Sequence, residues 1–341
     1  MISDRDENDA AAGASLTAQE EAAFWRDGFA GPFRPASAPQ CLPALADRLE
    51  DVVLNRRPHP VYGRYSHRDW HLVDKELESV LTQDAVVGRV ASLLGPDLLL
   101  WRSKIFHKPP GGDAIGWHQE WGAFDGEEIG NSTPSLRPVD PEGKIWDLTV
   151  WIALDDVTEE NGPLRFVPGS QRTRVPWKRV PMPESAFYEE PFQGLAKDEI
   201  AKRTRSGELI LDIDTSAWLT GFDVDGSDRD TLVDHLTNRF RGLWAKFTEY
   251  SPDPADVVTM TMKAGDFLVF SERTMHSSPA NLSGRRRTAV NCRITTADTL
   301  VYPGRLTQHY IDGSNLDIRH HESVLVSGTA LESRNRWRTP R

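Results

Sequence analysis

A histidine and a carboxylate stand two residues apart in Gly116-Trp117-His118-Gln119-Glu120-Trp121. On extended backbone the side chains alternate, so His118 and Glu120 point to the same face. Such a pair offers a metal ion two ligands and needs a third from elsewhere. The candidate is His276, in Thr274-Met275-His276-Ser277-Ser278, just after an apolar run. It lies 158 residues beyond His118, so only the fold can bring the two together. Two imidazoles and one carboxylate form the facial set that suits Fe(II) and leaves positions open for a co-substrate and O2. Taken alone, a His-x-Glu triplet is a weak signal, because most such pairs are surface or satisfied core residues.

A second constellation strengthens it. In Arg287-Thr288-Ala289-Val290-Asn291-Cys292-Arg293-Ile294, alternation puts Arg287, Ala289, Asn291 and Arg293 on one face. Thr288, Val290, Cys292 and Ile294 form the other, apolar face. A cation on an inner face is costly unless an anion meets it. The distal carboxylate of 2-oxoglutarate would be such an anion, and arginine can grip it through two parallel hydrogen bonds. Arg285 and Arg286 are expected on a solvated turn, with Arg287 the first to enter the strand. Trp151 shares a face with Thr149 and either closes the cofactor pocket, donating its indole N–H, or is a core residue. Arg102, Lys104 and Phe106 share a face of their strand, and Lys104 is a further candidate cofactor contact.

Strands are expected over 98–106, 148–154, 163–167, 257–262, 267–270 and 288–295, several of them closed by Gly/Pro turns. Short strands with no helix between them argue for an antiparallel barrel or jelly roll rather than a parallel α/β sheet. Ahead of them, Thr17 and Glu20 form a Thr-x-x-Glu capping box that opens an amphipathic helix through about Arg26. Residues 40–55 and 76–95 also carry helical spacing, with Leu42, Leu45, Leu49, Val52 and Val53 on one side. Residues 171–256 are polar and weakly periodic, and an insertion of that size in a β core predicts a lid or rim rather than a domain. The expected organisation is a mobile tail over 1–15 and a single domain over 16–341.

Composition bounds the setting. A chain of 341 residues, 38% hydrophobic and 9% aromatic, is long enough to bury a sizeable core. No apolar run approaches the ~18 residues that span a bilayer, and the N-terminus lacks a signal-peptide pattern. The two cysteines, Cys41 and Cys292, cannot build a disulfide framework and fit a reducing compartment. A net charge of −11 argues against nucleic acid or an anionic membrane as the main partner. The expectation is a cytoplasmic protein acting on a small molecule.

These motifs together resemble the phytanoyl-CoA dioxygenase-like branch of Fe(II)/2-oxoglutarate oxygenases, and within it the syringomycin-type non-haem iron halogenases and hydroxylases. The resemblance is carried by Asp27-Gly28-Phe29-Ala30-Gly31-Pro32-Phe33, by Leu94-Gly95-Pro96 through Trp101-Arg102 to Trp117-His118-Gln119, and by Leu148-Thr149-Val150-Trp151. It continues through Asn161-Gly162-Pro163 to Pro168-Gly169-Ser170, Lys263-Ala264-Gly265-Asp266-Phe267 with His276, and Val301-Tyr302-Pro303. It implies a mostly β double-stranded β-helix (a cupin-like jelly roll) with N-terminal helices against one sheet and an inserted lid region. It implies His118 and His276 as ligands, Arg287 as the 2-oxoglutarate anchor, and Arg293 and Trp151 as secondary cofactor contacts. The segment from Asn161 to Ser170 is expected to be structural. The chemistry implied is conversion of 2-oxoglutarate and O2 to succinate and CO2, coupled to hydroxylation of an unactivated C–H bond. The substrate implied is an amino acid, free or tethered to a carrier protein, or another small metabolite of secondary metabolism.

One departure bears on the outcome. Most hydroxylases of this branch carry Asp where this chain has Glu120, and the syringomycin-type halogenases carry a small residue that leaves room for a halide. A carboxylate at 120 favours hydroxylation. A halogenase, desaturase or cyclase on the same fold is the alternative, and a non-catalytic cupin-like binding protein or isomerase is the alternative of another class. Residues 121–125 and 171–256 are expected to set substrate choice.

Overall fold

The computed structural model describes residues 14–35, 39–122, 124, 134–141, 145–184, 190–211, 213–306 and 316–341. Most of the expected tail, and Ala123 and Asp125 of the substrate-choosing stretch, lie outside the described residues. Helix α1 (Ala18–Asp27) begins at the capping box, where Thr17 accepts from the Glu20 amide and the Glu20 carboxylate accepts from the Thr17 amide. It ends at Gly28, whose φ of 88° is left-handed. A Cβ there would lie 2.5 Å from the Thr274 hydroxyl, so only glycine fits. Helices α2 (Leu42–Leu54), α3 (Lys75–Leu81) and α4 (Asp84–Leu94) follow. The span 76–95 is thus two helices rather than one. Asp74 caps the first through the amides of Glu76 and Leu77, and Thr82-Gln83 separates the pair.

The strands that position the site are β1 (Phe29–Phe33), β2 (Leu98–Lys108), β3 (Ile115–His118), β4 (Asp147–Ala153) and β5 (Leu164–Phe166). They continue as β6 (Val258–Met260), β7 (Phe267–Ser271), β8 (His276–Ser278), β9 (Arg287–Thr296), β10 (Ser323–Ser327) and β11 (Trp337–Arg338). The larger sheet has the order β1-β7-β4-β9-β2-β10-β11, and the smaller β6-β5-β8-β3. All pairings in them are antiparallel except β10 with β11. This is the jelly roll expected from the short strands, and the six strands read from the sequence end within two residues of the observed bounds.

Alternation divides the larger sheet. Leu98, Leu100, Val150, Ile152, Val269, Val290, Cys292 and Ile294 form one buried cluster with Leu45 and Leu49 of α2 and Val86 and Val90 of α4. On the opposite face Phe29, Trp151, Leu268, Phe270 and Ala289 meet Leu164, Phe166 and Met260 across the space between the sheets. Each aliphatic side chain so buried contributes roughly 1.5–3 kcal/mol. The interior this creates is lined by apolar side chains and by polar residues that enter it from β2, β8 and β9.

The turn before β9 corrects one expectation. Arg285 is exposed, but Arg286 is only partly so and is held in ion pairs. Its guanidinium meets Asp47 at 2.6 Å, Asp155 at 3.3 Å, and Glu50. It clamps α2 to the chain ends of β4 and β9.

The insertion also has more structure than its polarity suggested. Its strands Lys178–Pro181 and Trp244–Phe247 pair antiparallel, and helices α5 (Lys197–Arg205) and α6 (Arg229–Arg241) share a separate core of Phe192, Ile200, Leu232, Leu236 and Phe240. The insertion meets the main body where the Tyr65 amide donates to the Glu208 carboxylate at 3.3 Å and Arg56 to the Glu208 carbonyl. Among the described residues no helix is long and apolar enough to cross a membrane.

Candidate metal and co-substrate site

The register of β8 against β3 sets His276 directly opposite His118. Their ring centroids are 4.1 Å apart, with the planes inclined at 50°. The Nδ1 of His118 faces the Gly116 carbonyl at 2.8 Å, and the Nδ1 of His276 faces the Thr274 carbonyl at 2.9 Å. A ring nitrogen facing a carbonyl carries the proton and donates it, which leaves Nε2 with a lone pair for a metal. Burial, reinforced by His118, pushes His276 down to about 3, so this imidazole is neutral at physiological pH, as a ligand must be.

Glu120 follows the end of β3, its amide donating to the Glu272 carbonyl at 2.9 Å. Burial alone would raise its pKa. The Arg293 guanidinium, 2.5 Å from Oε2, outweighs that and holds the carboxyl at about 2. Arg293 also donates to the Thr149 hydroxyl at 3.0 Å and sits 4.2 Å over the Phe124 ring. Asp147, 3.8 Å away, is pushed up to about 8 by burial. By type, two imidazoles and an ionised carboxylate fit Fe(II). By position, no three His, Cys, Asp or Glu side chains among the described residues converge as a ready ligand set. The imidazoles face each other, and the Glu120 carboxylate is turned to Arg293. Gln119, between the two ligand candidates, has another task. Its amide donates to the carbonyls of Ser170, Thr173 and Arg273 and accepts from the Val175 amide, which pins the end of β3.

Arg287 is 3% exposed at the start of β9. One terminal nitrogen donates to the Gly162 carbonyl at 3.0 Å, and the other is 3.4 Å from the Phe106 carbonyl. The guanidinium lies 5.4 Å from the Trp151 ring centre. Its Nε is buried without a hydrogen-bond partner. Burial lowers its pKa to about 10, still charged at neutral pH. A buried cation held by neutral carbonyls, with a donor unused, is the arrangement that a bound carboxylate completes.

A cavity of about 460 Å³ joins these groups, a size that suits a small ligand. Its walls include His118, Glu120, Trp151, His276, Arg287 and Arg293, so the sequence candidates meet in one place. Lys104 also lines it, but in register with Asn291, four residues along β2 from the Lys108 position opposite Arg287. Arg293 likewise reaches Glu120 rather than the Arg287 end. Among the described residues, none that lines it comes from 171–256. That insertion comes near through Tyr250, edge-on to Trp117, and through Arg174, which donates to the Trp121 carbonyl.

Several contributors went unseen in the sequence. The Asn161-Gly162-Pro163 turn, expected to be structural only, supplies the carbonyl that holds Arg287 and accepts from the Ser278 hydroxyl. Gly162 has a φ of 84°, and a Cβ there would press on Lys108 at 2.7 Å. Lys108 donates to Ser278 and to the Pro279 carbonyl, and burial beside Arg287 pushes its pKa down to about 7. Only the strand running two residues past its expected end, or a cation beside the turn, could have pointed to it.

The chain matches the phytanoyl-CoA dioxygenase family over residues 24–289. It is 31% identical over 137 residues to the L-proline trans-4-hydroxylase of Streptomyces griseoviridis, covering 38% of this chain and 47% of that one. It is 30% identical over 105 residues to a probable alpha-ketoglutarate-dependent hypophosphite dioxygenase of Stutzerimonas stutzeri, covering 31% of each. The chain thus spans a third to a half of the length of these curated relatives. Among solved structures, CytC3 matches over 95% of this chain and 93% of its own, with a TM-score of 0.60 and 21% identity, a likeness of fold. With the family match running over most of its length, this chain belongs to the phytanoyl-CoA dioxygenase family, whose enzymes use Fe(II) and 2-oxoglutarate.

Proposed function

We propose that this chain hydroxylates a small molecule, with Fe(II) held by His118, His276 and Glu120 and 2-oxoglutarate anchored by Arg287. The observation that carries the reading is the pairing of two features in one cavity. Opposed imidazoles, each turning its Nδ1 to a backbone carbonyl, stand beside a buried guanidinium with an unused Nε. Bound iron and 2-oxoglutarate would supply the oxidising chemistry with O2. The protein's part is ligation, orientation and exclusion of water. Arg287 fixes the distal carboxylate against Gly162, Trp151 covers that guanidinium, and Arg293 aims the Glu120 carboxylate. Lys104, further along the wall, contacts the ligands bound there.

The substrate is taken to be a small polar metabolite, free or carrier-tethered, as the relatives named for L-proline and hypophosphite suggest. Residues 171–256 are read as a cover at the cavity mouth within a single domain over 16–341. The two free cysteines favour the cytoplasm. One observation favours a second outcome, halogenation, since the Glu120 carboxylate is already engaged by Arg293.

The test is anaerobic addition of Fe(II) and 2-oxoglutarate, which should give the weak visible charge-transfer band of their chelate. His118→Ala and His276→Ala should each abolish it. An unchanged band in both variants would remove this site from consideration.

A further inference from the structure

Lys108 and Arg287 stand directly opposite each other in the pairing of β2 with β9. They are 6% and 3% exposed, so two like charges meet away from water. Like charges opposite each other destabilise a sheet, and burial strengthens the repulsion. The hydrogen bonds that hold both side chains end on neutral oxygens. Lys108 donates to the Pro279 carbonyl at 2.6 Å, the Ser278 hydroxyl at 2.8 Å and, more weakly, the Ser278 carbonyl at 3.4 Å. Arg287 rests on the Gly162 and Phe106 carbonyls and comes within 3.4 Å of the same Ser278 hydroxyl. That hydroxyl donates its own proton to the Gly162 carbonyl at 2.9 Å. Ser278 thus bridges the two cations.

The charged groups that act on Lys108 are Arg287 from β9 and the exposed Asp113 from the loop after β2, while Asp155, just past β4, acts on Arg287. From β8 and the Gly162 turn it meets only neutral groups. Three oxygens suit the three donors of an ammonium, whereas a neutral amine would turn its lone pair on one of them. Contacts therefore favour the charged form, and burial followed by Arg287 opposes it, which leaves the pKa at about 7. A carboxylate held by Arg287 would offset that repulsion and tip the balance toward the ammonium. The cavity wall includes Ser278 and Arg287 but not Lys108, so Lys108 acts on an occupant through them.

We propose that Lys108 is a positioning residue of the co-substrate anchor, which holds the Ser278 hydroxyl from behind and takes up a proton as a carboxylate binds to Arg287. The proposal rests on the reading of Arg287 as the 2-oxoglutarate anchor. Linkage gives the sign. Affinity is greatest below pH 7, where Lys108 is already an ammonium. It falls as pH rises through 7, because binding must then also charge the amine, with a slope of at most about tenfold per pH unit.

The test titrates 2-oxoglutarate into the full chain, loaded with Fe(II) and kept anaerobic, from about pH 6 to about pH 9. The chelate band reads affinity, and calorimetry in two buffers of different ionisation heat reads the protons taken up. The wild type should take up about one proton at about pH 8 and bind more weakly as pH rises. Lys108→Met should lose that uptake, bind about tenfold more weakly than the wild type at about pH 6, and converge on it by about pH 9. Its iron affinity should stay within about twofold, which reports a folded site. A lysine that only supports the fold would weaken the variant equally at every pH, and that result overturns the proposal. So does uptake that Lys108→Met retains, since it belongs to another group. Wild-type binding at about pH 8 with no proton uptake also refutes it, whether or not the variant folds. If the wild type forms no chelate band, the functional reading has failed instead. Glutarate, which has the distal carboxylate without the 2-oxo group, is then titrated into the metal-free protein. Proton uptake that Lys108→Met loses supports the role of Lys108, and no uptake refutes it.

Discussion

Arg287 spends its buried charge on two carbonyls and leaves Nε unused, so its value lies in what it binds. Removing one partner of a buried charged pair typically costs about 2–5 kcal/mol. Arg287→Ala is therefore expected to weaken 2-oxoglutarate by tens- to thousands-fold with little change in metal affinity, measured by anaerobic titration. Gly162→Ala should weaken it in the same direction, because a methyl group at φ 84° pushes Lys108 and shifts the carbonyl that aims Arg287. Glu120 is the other residue whose partner matters. Glu120→Asp should keep measurable activity, since Asp is the commoner ligand in the family the motifs resemble. Glu120→Ala should lose most hydroxylation and leave Arg293 buried beside Asp147, with a fall in Tm. Product mass spectrometry with and without chloride checks the outcome. A chlorinated product from the wild type would replace the hydroxylase reading with halogenation, and a fully active Glu120→Ala would show that Glu120 is not a ligand.

At the scale of elements, β9 was legible because its register follows from a period of two. Thr288, Val290, Cys292 and Ile294 are apolar or small, so Arg287 and Arg293 had to face the interior. The same rule put His118 and Glu120 on one face, but it names a face and not a partner. Nothing in the spacing shows that Glu120 would meet Arg293, 173 residues away. Backbone groups leave even less trace, which is why the Gly162 carbonyl was missed. Arg286 was misread because its carboxylates arrive from α2 and from the end of β4, far along the chain. Its role is structural, and its variant separates the two arginines. Arg286→Ala should lower stability by roughly 1–3 kcal/mol through the carboxylates left facing each other. It should leave 2-oxoglutarate affinity unchanged, and Arg285→Ala should be silent in both. Loss of 2-oxoglutarate binding in Arg286→Ala but not in Arg287→Ala would mean the register of β9 is wrong by one.

At the scale of the molecule, the jelly roll holds the site on strands whose ends are pinned, and the insertion contributes no side chain to the cavity wall among the described residues. Leu232, Leu236 and Phe240 recur every four residues along α6 and close a core that the main body does not share. That stripe was overlooked because the residues between are mostly polar, Asp234, His235, Thr237, Asn238 and Arg239 among them. A cover with its own core can fold, open and fail without dragging the sheets along. Leu236 is fully buried there, and Leu236→Ala removes packing worth about 2–5 kcal/mol. Hydrogen exchange should then rise across 190–241 and stay low in β2 and β9, while 2-oxoglutarate affinity holds within about twofold. Succinate release should continue with less substrate hydroxylated per turnover, because a loosened cover admits water without disturbing the co-substrate. Exchange that spreads into β2 and β9 would show instead that the insertion and the jelly roll fold as one cooperative unit, and that 171–256 supports the site rather than closing it.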